Sequence, residues 1–422
     1  MKRFVFACFG SLGDLHPYLA VGKALQARGH HAALCTTDRY RAAVEAEGLA
    51  WAPLRPSEAQ MIGTQGELKA VMRRLFDPLR GPEYMVRELL MPHIRAQHAD
   101  IAAACERADL LVTHPLALTG PLVCAQRGLP WVSSVLSPMS MLSTLDPPLI
   151  ASVPFGRALR RLGVWPYRGF MQLAAWMAFR WEAPLHALRA ELGLPRAEHP
   201  ALFHGQFSPH LNLALFPRWL AQPAADWPAR SLLAGFARYD GAPPSAELCA
   251  RLDAYLDAGE PPLVFALGSS VALIAGQFWQ EAIAAAQALG RRALLVTGEP
   301  WSTPLPPGIA AFEYLPYSRL FPRAAAVIHQ AGIGTLAQAL AAGRPQLIVP
   351  AAFDQPDNAR RAQALGVART LPIRKATAAR LAHELAALLA DAPLAARARQ
   401  LAARHAGEDG AAVAAEALIA AC

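Results

Sequence analysis

Residues 329–358 read HQAGIGTLAQALAAGRPQLIVPAAFDQPDN, and the rest of the chain is organised around this stretch. Strand-forming residues 324–328 lead into it, and Gly332 and Gly334 then stand before an alanine-rich helix. The first N–H groups of a helix lack partners within it and carry partial positive charge, and glycines let a ligand approach the backbone. The front half therefore predicts an anion site where a strand meets a helix, formed by His329, Gly332, Gly334 and Thr335.

The back half of the stretch adds groups that suit a sugar. Gly343 is placed to end the helix, and residues 346–350 read as a short buried strand. Short polar side chains follow that strand: Asp354, Gln355, Asp357 and Asn358. They favour hydrogen bonds to sugar hydroxyls beside a phosphate. Taken singly, each half also fits a ligand-free α/β turn or a helix cap.

Composition limits the class of protein. A chain of 422 residues with 54% hydrophobic and 17% charged residues predicts two domains with large cores and no membrane-spanning segment. The six cysteines have neither CxxC nor metal-type spacing, so we expect a cytosolic protein without disulfides or a metal. The net charge of +8 fits an anionic membrane surface or a phosphorylated substrate. No motif of a nucleic-acid module is present, so no nucleic-acid partner is expected.

The N-terminal part has a βαβ pattern. Residues 4–9 form a predicted strand, 10–17 a loop, 18–28 a helix and 32–35 the next strand. Asp14 lies in the loop, where a carboxylate would accept a proton from a substrate hydroxyl, although the N-cap of the helix is an equal alternative. His16 is a second candidate base. Alternatively, it is a solvated histidine of the loop without a role in catalysis.

Further βα units follow and predict open parallel sheets. Residues 109–114 and 130–135 are strands of the first series, and a second series begins with the strand 262–267. The strand 262–267 is followed by Gly268, Ser269 and Ser270. These residues offer hydroxyl and N–H groups to a phosphate or simply form a turn.

Residues 145–200 interrupt this rhythm with two helical stretches rich in proline, tryptophan, methionine and arginine. Such an insertion fits a core, the wall of a pocket for a hydrophobic acceptor, or a membrane surface. We expect an N-terminal acceptor domain (1–215), a linker (216–244), a C-terminal donor domain (245–400) and a final helix (401–422) packed on the first domain.

Two motifs of the chain are similar to those of the GT-B fold glycosyltransferases of the UDP-glycosyltransferase superfamily, family 1. They are the donor stretch described above and the N-terminal sequence GSLGDLHP at residues 10–17. Other segments, including LFP at 215–217, DWP at 226–228 and PLVF at 262–265, look most like the rhamnosyltransferases of rhamnolipid synthesis. The resemblance covers essentially the whole chain. It implies two Rossmann-like domains whose parallel sheets face each other across a cleft.

The resemblance also implies roles for residues. His329 would contact the donor diphosphate together with the N–H groups near Gly332, Gly334 and Thr335, while Ser269 and Ser270 close on it. The remaining donor groups would be Tyr314 and Leu315 at the nucleobase, Asp354 and Gln355 at the sugar, and Asn358 towards the phosphates. Asp14 stands where relatives carry a catalytic histidine or aspartate. Many relatives add an aspartate partner after a later strand, where this chain has His114, so His114 is a possible acceptor contact.

The predicted activity is metal-independent, inverting sugar transfer without a cofactor. The predicted donor is a dTDP- or UDP-sugar, with rhamnose favoured. The predicted acceptor is a hydroxy fatty acid or other lipid, and the enzyme is expected in the cytoplasm at the inner face of the membrane. The alternative is UDP-glucosyl transfer to a polyketide, terpenoid or other small aglycone. A non-catalytic subunit would be expected to lose Asp14 or His329, and a dinucleotide oxidoreductase would need a G-x-G-x-x-G motif after the first strand.

Overall fold

The structure is a computed structural model, and it describes residues 1–63, 66–150, 156–241 and 244–422. The chain forms two compact units. The first unit consists of Met1–Tyr239 and Asp409–Cys422, and the second consists of Asp240–Glu408. Residues 151–155, in the predicted insertion, and 242–243, in the predicted linker, lie outside the described residues.

Each unit contains one parallel sheet. The first has the strand order β3-β2-β1-β4-β5-β6-β7 and the second has β10-β9-β8-β11-β12-β13. All strand pairs among the described residues are parallel, which confirms the predicted α/β class with two sheets. The strands are β1 (Arg3–Ala7), β2 (His31–Thr36), β3 (Ala50–Pro53), β4 (Leu110–Thr113), β5 (Trp131–Val135), β6 (Leu211–Ala214), β7 (Ser231–Leu233), β8 (Leu263–Ala266), β9 (Ala293–Val296), β10 (Ile309–Phe312), β11 (Ala326–His329), β12 (Gln346–Ile348) and β13 (Ala368–Thr370).

Helices connect these strands, since parallel neighbours require a crossover. The helices are α1 (Leu12–Gln26), α2 (Arg41–Ala46), α3 (Glu58–Ile62), α4 (Leu68–Leu75), α5 (Gly81–Tyr84), α6 (Ile94–Ala104), α7 (Gly120–Arg127), α8 (Gly156–Arg161), α9 (Val164–Trp181), α10 (Ala183–Glu191), α11 (Ala246–Asp257), α12 (Gly268–Ala272), α13 (Phe278–Ala288), α14 (Tyr317–Leu320), α15 (Ile333–Ala341), α16 (Gln355–Ala364), α17 (Ala378–Ala390), α18 (Ala392–Arg404) and α19 (Gly410–Ala421). No helix within the described ranges combines the length and the apolar content that a membrane crossing requires.

The central strands are buried on both faces, as covered parallel sheets require. In β1, residues Phe4 to Ala7 are at most 3% exposed, and β8 is completely buried. The apolar runs of these strands are what made them recognisable in the sequence. β3 and β7 lack such runs, because their residues are half-buried or exposed.

The structure changes three predicted boundaries. Helix α1 begins at Leu12 rather than at residue 18, because Ser11 and Asp14 form the start of the helix through hydrogen bonds. β7 lies inside the predicted linker and pairs with β6, so this segment belongs to the first sheet. Residues 401–404 continue α18 in the second unit, whereas α19 belongs to the first.

Candidate functional site

The first cluster of candidate residues surrounds Asp14, in the first turn of α1. One carboxylate oxygen, Oδ2, accepts hydrogen bonds from the backbone N–H and the hydroxyl of Ser11, at 2.6 and 3.0 Å. Gly10 precedes them with φ +149°, and a Cβ at this position would collide with the carboxylate. Glycine therefore makes room for Asp14. The predicted loop position is wrong, because these contacts extend the helix to include Asp14.

His114 completes this cluster. β1 and β4 are hydrogen-bonded neighbours, so the residues that follow Ala7 and Thr113 emerge at the same edge of the sheet. The Nε2 atom of His114 lies 3.5 Å from Oδ1 of Asp14, at the outer limit of a hydrogen bond. His114 is 7% exposed, whereas a third of the Asp14 side chain is accessible. The carboxylate is therefore the more accessible member of the pair.

The other ring nitrogen of His114 fixes the direction of the contact. Nδ1 lies 3.3 Å from the backbone N–H of Leu116, which donates to it. An imidazole nitrogen that accepts a hydrogen bond carries no proton, so the proton of the neutral ring is on Nε2 and faces Asp14. Tyr18 packs edge-on against the ring, with centroids 6.3 Å apart, and limits its rotation.

The surroundings of Asp14 act on its pKa in opposite directions. Burial alone would raise it, but His114 and the two donors of Ser11 outweigh burial and lower the pKa below its ordinary value. Asp14 is therefore ionised at neutral pH and able to accept a proton. The ring of His16 packs edge-on against that of Tyr239, with their centroids 4.9 Å apart. Burial lowers the pKa of His16 to about 4, so it is neutral at pH 7.

The second cluster lies in the second unit, at the carboxyl ends of three adjacent strands. β11 pairs with β8 on one side and with β12 on the other. The loops that follow these strands therefore lie side by side, although they are far apart in the sequence. α15 starts from the middle loop, and Ile333, Gly334 and Thr335 supply its first N–H groups, which have no partner inside the helix. This arrangement fits an anion.

His329 does not face that anion site. Its side chain is 0% exposed, and both ring nitrogens have partners: Nε2 with Oε1 of Gln346 at 2.8 Å, and Nδ1 with the N–H of Ala331 at 3.1 Å. Burial lowers its pKa to about 4, so the ring is neutral. The structure thus corrects the predicted diphosphate contact, because the ring of His329 is buried and its hydrogen bond from Ala331 stabilises the loop between β11 and α15.

Gln330 is the residue that the sequence analysis missed. Its amide lies between the loops that follow β8 and β11. A Cβ on Gly268 would collide with Nε2 of Gln330, and a Cβ on Gly332 would lie 2.7 Å from the same atom. Its Oε1 atom is buried without a hydrogen-bond partner. A buried amide with unused hydrogen-bonding capacity between two glycines is a candidate contact for a polar ligand. Alternation along a strand places adjacent side chains on opposite faces, but it does not show which of His329 and Gln330 faces the core.

Asn358 ties the two halves of the donor stretch together. Its Nδ2 atom donates to the carbonyl of Ala331 at 3.0 Å and to Oδ2 of Asp354 at 2.7 Å, while its buried Oδ1 has no partner. Ala331 and Phe353 both have positive φ, 66° and 55°, which costs non-glycine residues energy. Strained residues of this kind concentrate at functional sites when the surroundings hold them in place.

Two further members of the polar cluster have structural partners. Oε1 of Gln355 accepts from the N–H of Ala351 at 3.0 Å, so this buried side chain shapes the loop before α16. Asp357 is fully buried and forms ion pairs with Arg360 and Arg361. Asp354 is half-buried at the start of α16 and is the more accessible carboxylate of the cluster.

The remaining predicted donor residues occupy different environments. Ser269 and Ser270 are half-buried in the first turn of α12, where the sequence alone allowed a simple turn. Tyr314 is 41% exposed, and its hydroxyl donates to the carbonyl of Asp240 at 3.0 Å. Leu315 is 1% exposed and packs in the core, so its side chain is not available to a ligand. The apolar character of Leu315 explains this correction.

Comparison with known proteins identifies both halves of the chain. Residues 4–80 match the glycosyltransferase family 28 N-terminal domain, and residues 294–420 match the erythromycin biosynthesis protein CIII-like C-terminal domain. The chain is 32% identical over 425 residues to the O-mycaminosyltylonolide 6-deoxyallosyltransferase of Streptomyces fradiae. That alignment covers 97% of this chain and 94% of the relative.

Solved structures share the fold over the whole chain. The spinosyn rhamnosyltransferase SpnG has a TM-score of 0.66 at 21% identity, covering 99% of this chain and 100% of that one. SsfS6, a glycosyltransferase of Streptomyces sp. SF2575 solved with thymidine diphosphate, has a TM-score of 0.66 at 20% identity, with 100% of both chains covered.

Proposed function

We propose a reaction for this chain, which belongs to the nucleotide-sugar-dependent glycosyltransferases of the GT-B fold. It moves a sugar from a dTDP- or UDP-sugar to a hydroxyl of a small hydrophobic natural-product aglycone of the polyketide class. One observation carries the proposal: the 32% identity over nearly the whole chain to an enzyme that glycosylates O-mycaminosyltylonolide. The proposed acceptor is thus the alternative from the sequence analysis rather than a hydroxy fatty acid.

Asp14 is the proposed base. As the acceptor oxygen forms its bond to the anomeric carbon, its proton passes to the carboxylate of Asp14. Oδ1 is the favoured oxygen, because Oδ2 accepts two short hydrogen bonds from Ser11, whereas His114 Nε2 lies 3.5 Å from Oδ1 and leaves it capacity for a further proton. The bond between that carbon and the phosphate oxygen breaks, and the nucleoside diphosphate leaves with the electron pair. Attack from the face opposite the leaving group inverts the anomeric configuration.

His114 is the proposed positioning residue for this base. Since its Nε2 proton faces Asp14 and its Nδ1 is engaged by Leu116, the neutral ring offers no free lone pair to an acceptor hydroxyl. It instead orients the carboxylate and favours its ionised form, as the lowered pKa of Asp14 supports. This assignment replaces the predicted acceptor contact.

The donor site is proposed at the three adjacent loops of the second unit. The N–H groups that begin α15, the hydroxyls of Ser269 and Ser270 and the Nε2 atom of Gln330 would donate to the diphosphate and stabilise the leaving charge. Asp354 would accept a hydrogen bond from a sugar hydroxyl. The exposed ring of Tyr314, fixed through its hydroxyl, is the proposed stacking partner of the nucleobase.

A second candidate is rhamnosyl transfer to a hydroxy fatty acid, as in rhamnolipid synthesis. The segments LFP, DWP and PLVF support it through their resemblance to those rhamnosyltransferases. One experiment separates the two candidates: the purified chain is incubated with dTDP-rhamnose, other dTDP-deoxyhexoses and UDP-glucose against polyketide aglycones and hydroxy fatty acids. Mass spectrometry then detects the products. Sugar transfer to the fatty acids alone would overturn the aglycone proposal.

A further inference from the structure

One face of α9 carries an unusual concentration of exposed apolar side chains. Nine large hydrophobic residues are exposed in the described part of the chain, and five of them lie between Leu162 and Met177. Trp165 is 78% exposed and Trp176 is 56% exposed. They are about three helical turns apart, so they stand on one line along the helix. Leu173 and Met177 are the other exposed apolar residues of this face, and Leu162 lies just before the helix begins. We call these five residues the α9 patch.

The opposite face of α9 packs inward. Tyr167, Met171 and Ala178 are at most 8% exposed, and the hydroxyl of Tyr167 donates to the carbonyl of Pro148 at 2.9 Å. The helix is therefore anchored to the first unit by its inner face. The α9 patch is a stable feature of the surface, and exposing apolar area of this kind marks an interaction site.

The charged residues of the segment that carries the patch have a single sign. The sequence from Gly156 to Trp181 contains five arginines and no aspartate or glutamate. Arg168 and Arg180 are exposed and lie over the rings of Trp165 and Trp176, with 5.4 and 5.0 Å between guanidinium carbon and ring centroid. Each pair thus presents an aromatic ring and a positive charge together.

We propose that the α9 patch binds an anionic lipid surface, with the tryptophans at the headgroup level and the arginines on lipid phosphates. Tryptophan and arginine are the side chains that suit such an interface, since both combine an apolar body with a polar end. Charge decides between this partner and a second copy of the chain. A symmetric dimer through the patch would bring like charges together, whereas anionic lipid complements them. This inference is independent of the proposed reaction.

Cosedimentation with vesicles tests the proposal. The full chain is mixed with vesicles of phosphatidylcholine alone or with phosphatidylglycerol mixed in, at low and high salt. We expect binding only to the anionic vesicles, with each arginine adding about fivefold and salt weakening the effect. R168Q/R180Q and W165A/W176A should each reduce binding, the latter by more than about tenfold.

Leu79→Ala is the matched control, because Leu79 is 64% exposed and lies outside the patch. It should bind as the unmodified chain does, and circular dichroism establishes that every variant is folded. Failure to bind anionic vesicles would overturn the proposal, as would equal binding to both vesicle types or binding unaffected by the patch variants. A dimer in light scattering that W165A/W176A dissociates would also overturn it, by assigning the patch to a second copy.

Discussion

Asp14 and His114 meet at the ends of neighbouring parallel strands, with Nε2 of the histidine 3.5 Å from Oδ1 of the carboxylate. The pairing of β1 with β4 brings them together across a hundred residues of sequence. The hydrogen bond from Leu116 to Nδ1 gives the contact a direction, from the histidine to the carboxylate. Asp14 is thereby the hydrogen-bond acceptor of the pair.

His114→Gln is predicted to move the acid limb of the kcat/KM profile to higher pH. The pKa of Asp14 is lowered in the fold, so the carboxylate form is present throughout neutral pH and is lost only as pH falls below about 3.9, the ordinary aspartate value. Removing His114 leaves burial, which raises the pKa, less opposed. Activity of both enzymes is measured as kcat/KM between about pH 3 and 8, so that the range reaches below the ordinary aspartate pKa.

His16→Gln serves as the control for this profile, since the ring of His16 packs against that of Tyr239 and its lowered pKa of about 4 keeps it neutral at pH 7. It should leave the acid limb in place. A limb of the unmodified enzyme near pH ~6.5, where histidines ordinarily titrate, would assign the base to a histidine and contradict the role of Asp14.

Gln330→Ala is predicted to weaken binding of dTDP or UDP by about tenfold, the scale of a hydrogen bond to a charged group. Its fold should persist, because Oε1 of Gln330 has no partner to lose. His329→Ala should instead lower the free energy of unfolding by ~1–3 kcal/mol, since it leaves Gln346 without its buried partner. Calorimetry and denaturant titration separate the two effects; intact nucleotide affinity in Gln330→Ala would refute the proposed contact.

Gly268→Ala is predicted to act through Gln330. The added Cβ would collide with the amide of Gln330, at a residue whose φ of +66° already disfavours alanine. We expect weaker nucleotide binding in the single variant and a smaller additional loss when Gly268→Ala is placed in the Gln330→Ala background. A double-mutant cycle by calorimetry measures this coupling. Strict additivity would argue that the two residues act separately.

Asp226→Asn is predicted to lower stability without affecting nucleotide binding. Asp226 accepts hydrogen bonds from the hydroxyl of Ser143 at 2.6 Å and from the backbone and hydroxyl of Thr144 at 2.6 and 3.0 Å. Burial would raise its pKa, but these donors lower it, so its stabilising contribution is present above pH ~3.9 and lost as pH falls. Denaturant titration at pH 7 should show a loss of ~1–3 kcal/mol that shrinks in acid. An unchanged midpoint at pH 7 would contradict this role.

The central strands were predictable from the sequence because complete burial requires continuous apolar runs, as in β1 and β8. The edge strands were not. β3 and β13 are half-covered and short, and β7 has only three residues, so none shows a run that distinguishes a strand from a loop. Their places depend on the sheet to which they pair.

The candidate site was predictable to a similar degree. Asp14 and the donor stretch could be recognised because they follow apolar strands at glycine-rich turns. The contact between Asp14 and His114 could not, since it depends on strand order. Gln330 was overlooked beside His329 because the sequence does not show which of two adjacent polar residues faces the core.

Asp14→Asn tests most directly whether Asp14 is the base. The variant is assayed by mass spectrometry with the donor and acceptor pair that the unmodified enzyme uses. Asparagine retains the size of the side chain and an acceptor for the N–H of Ser11, but it cannot take a proton from the acceptor hydroxyl. We expect a loss of ~10²–10⁴-fold in kcat/KM, with calorimetric affinity for dTDP or UDP unchanged. Full transfer activity in a folded Asp14→Asn variant would contradict it.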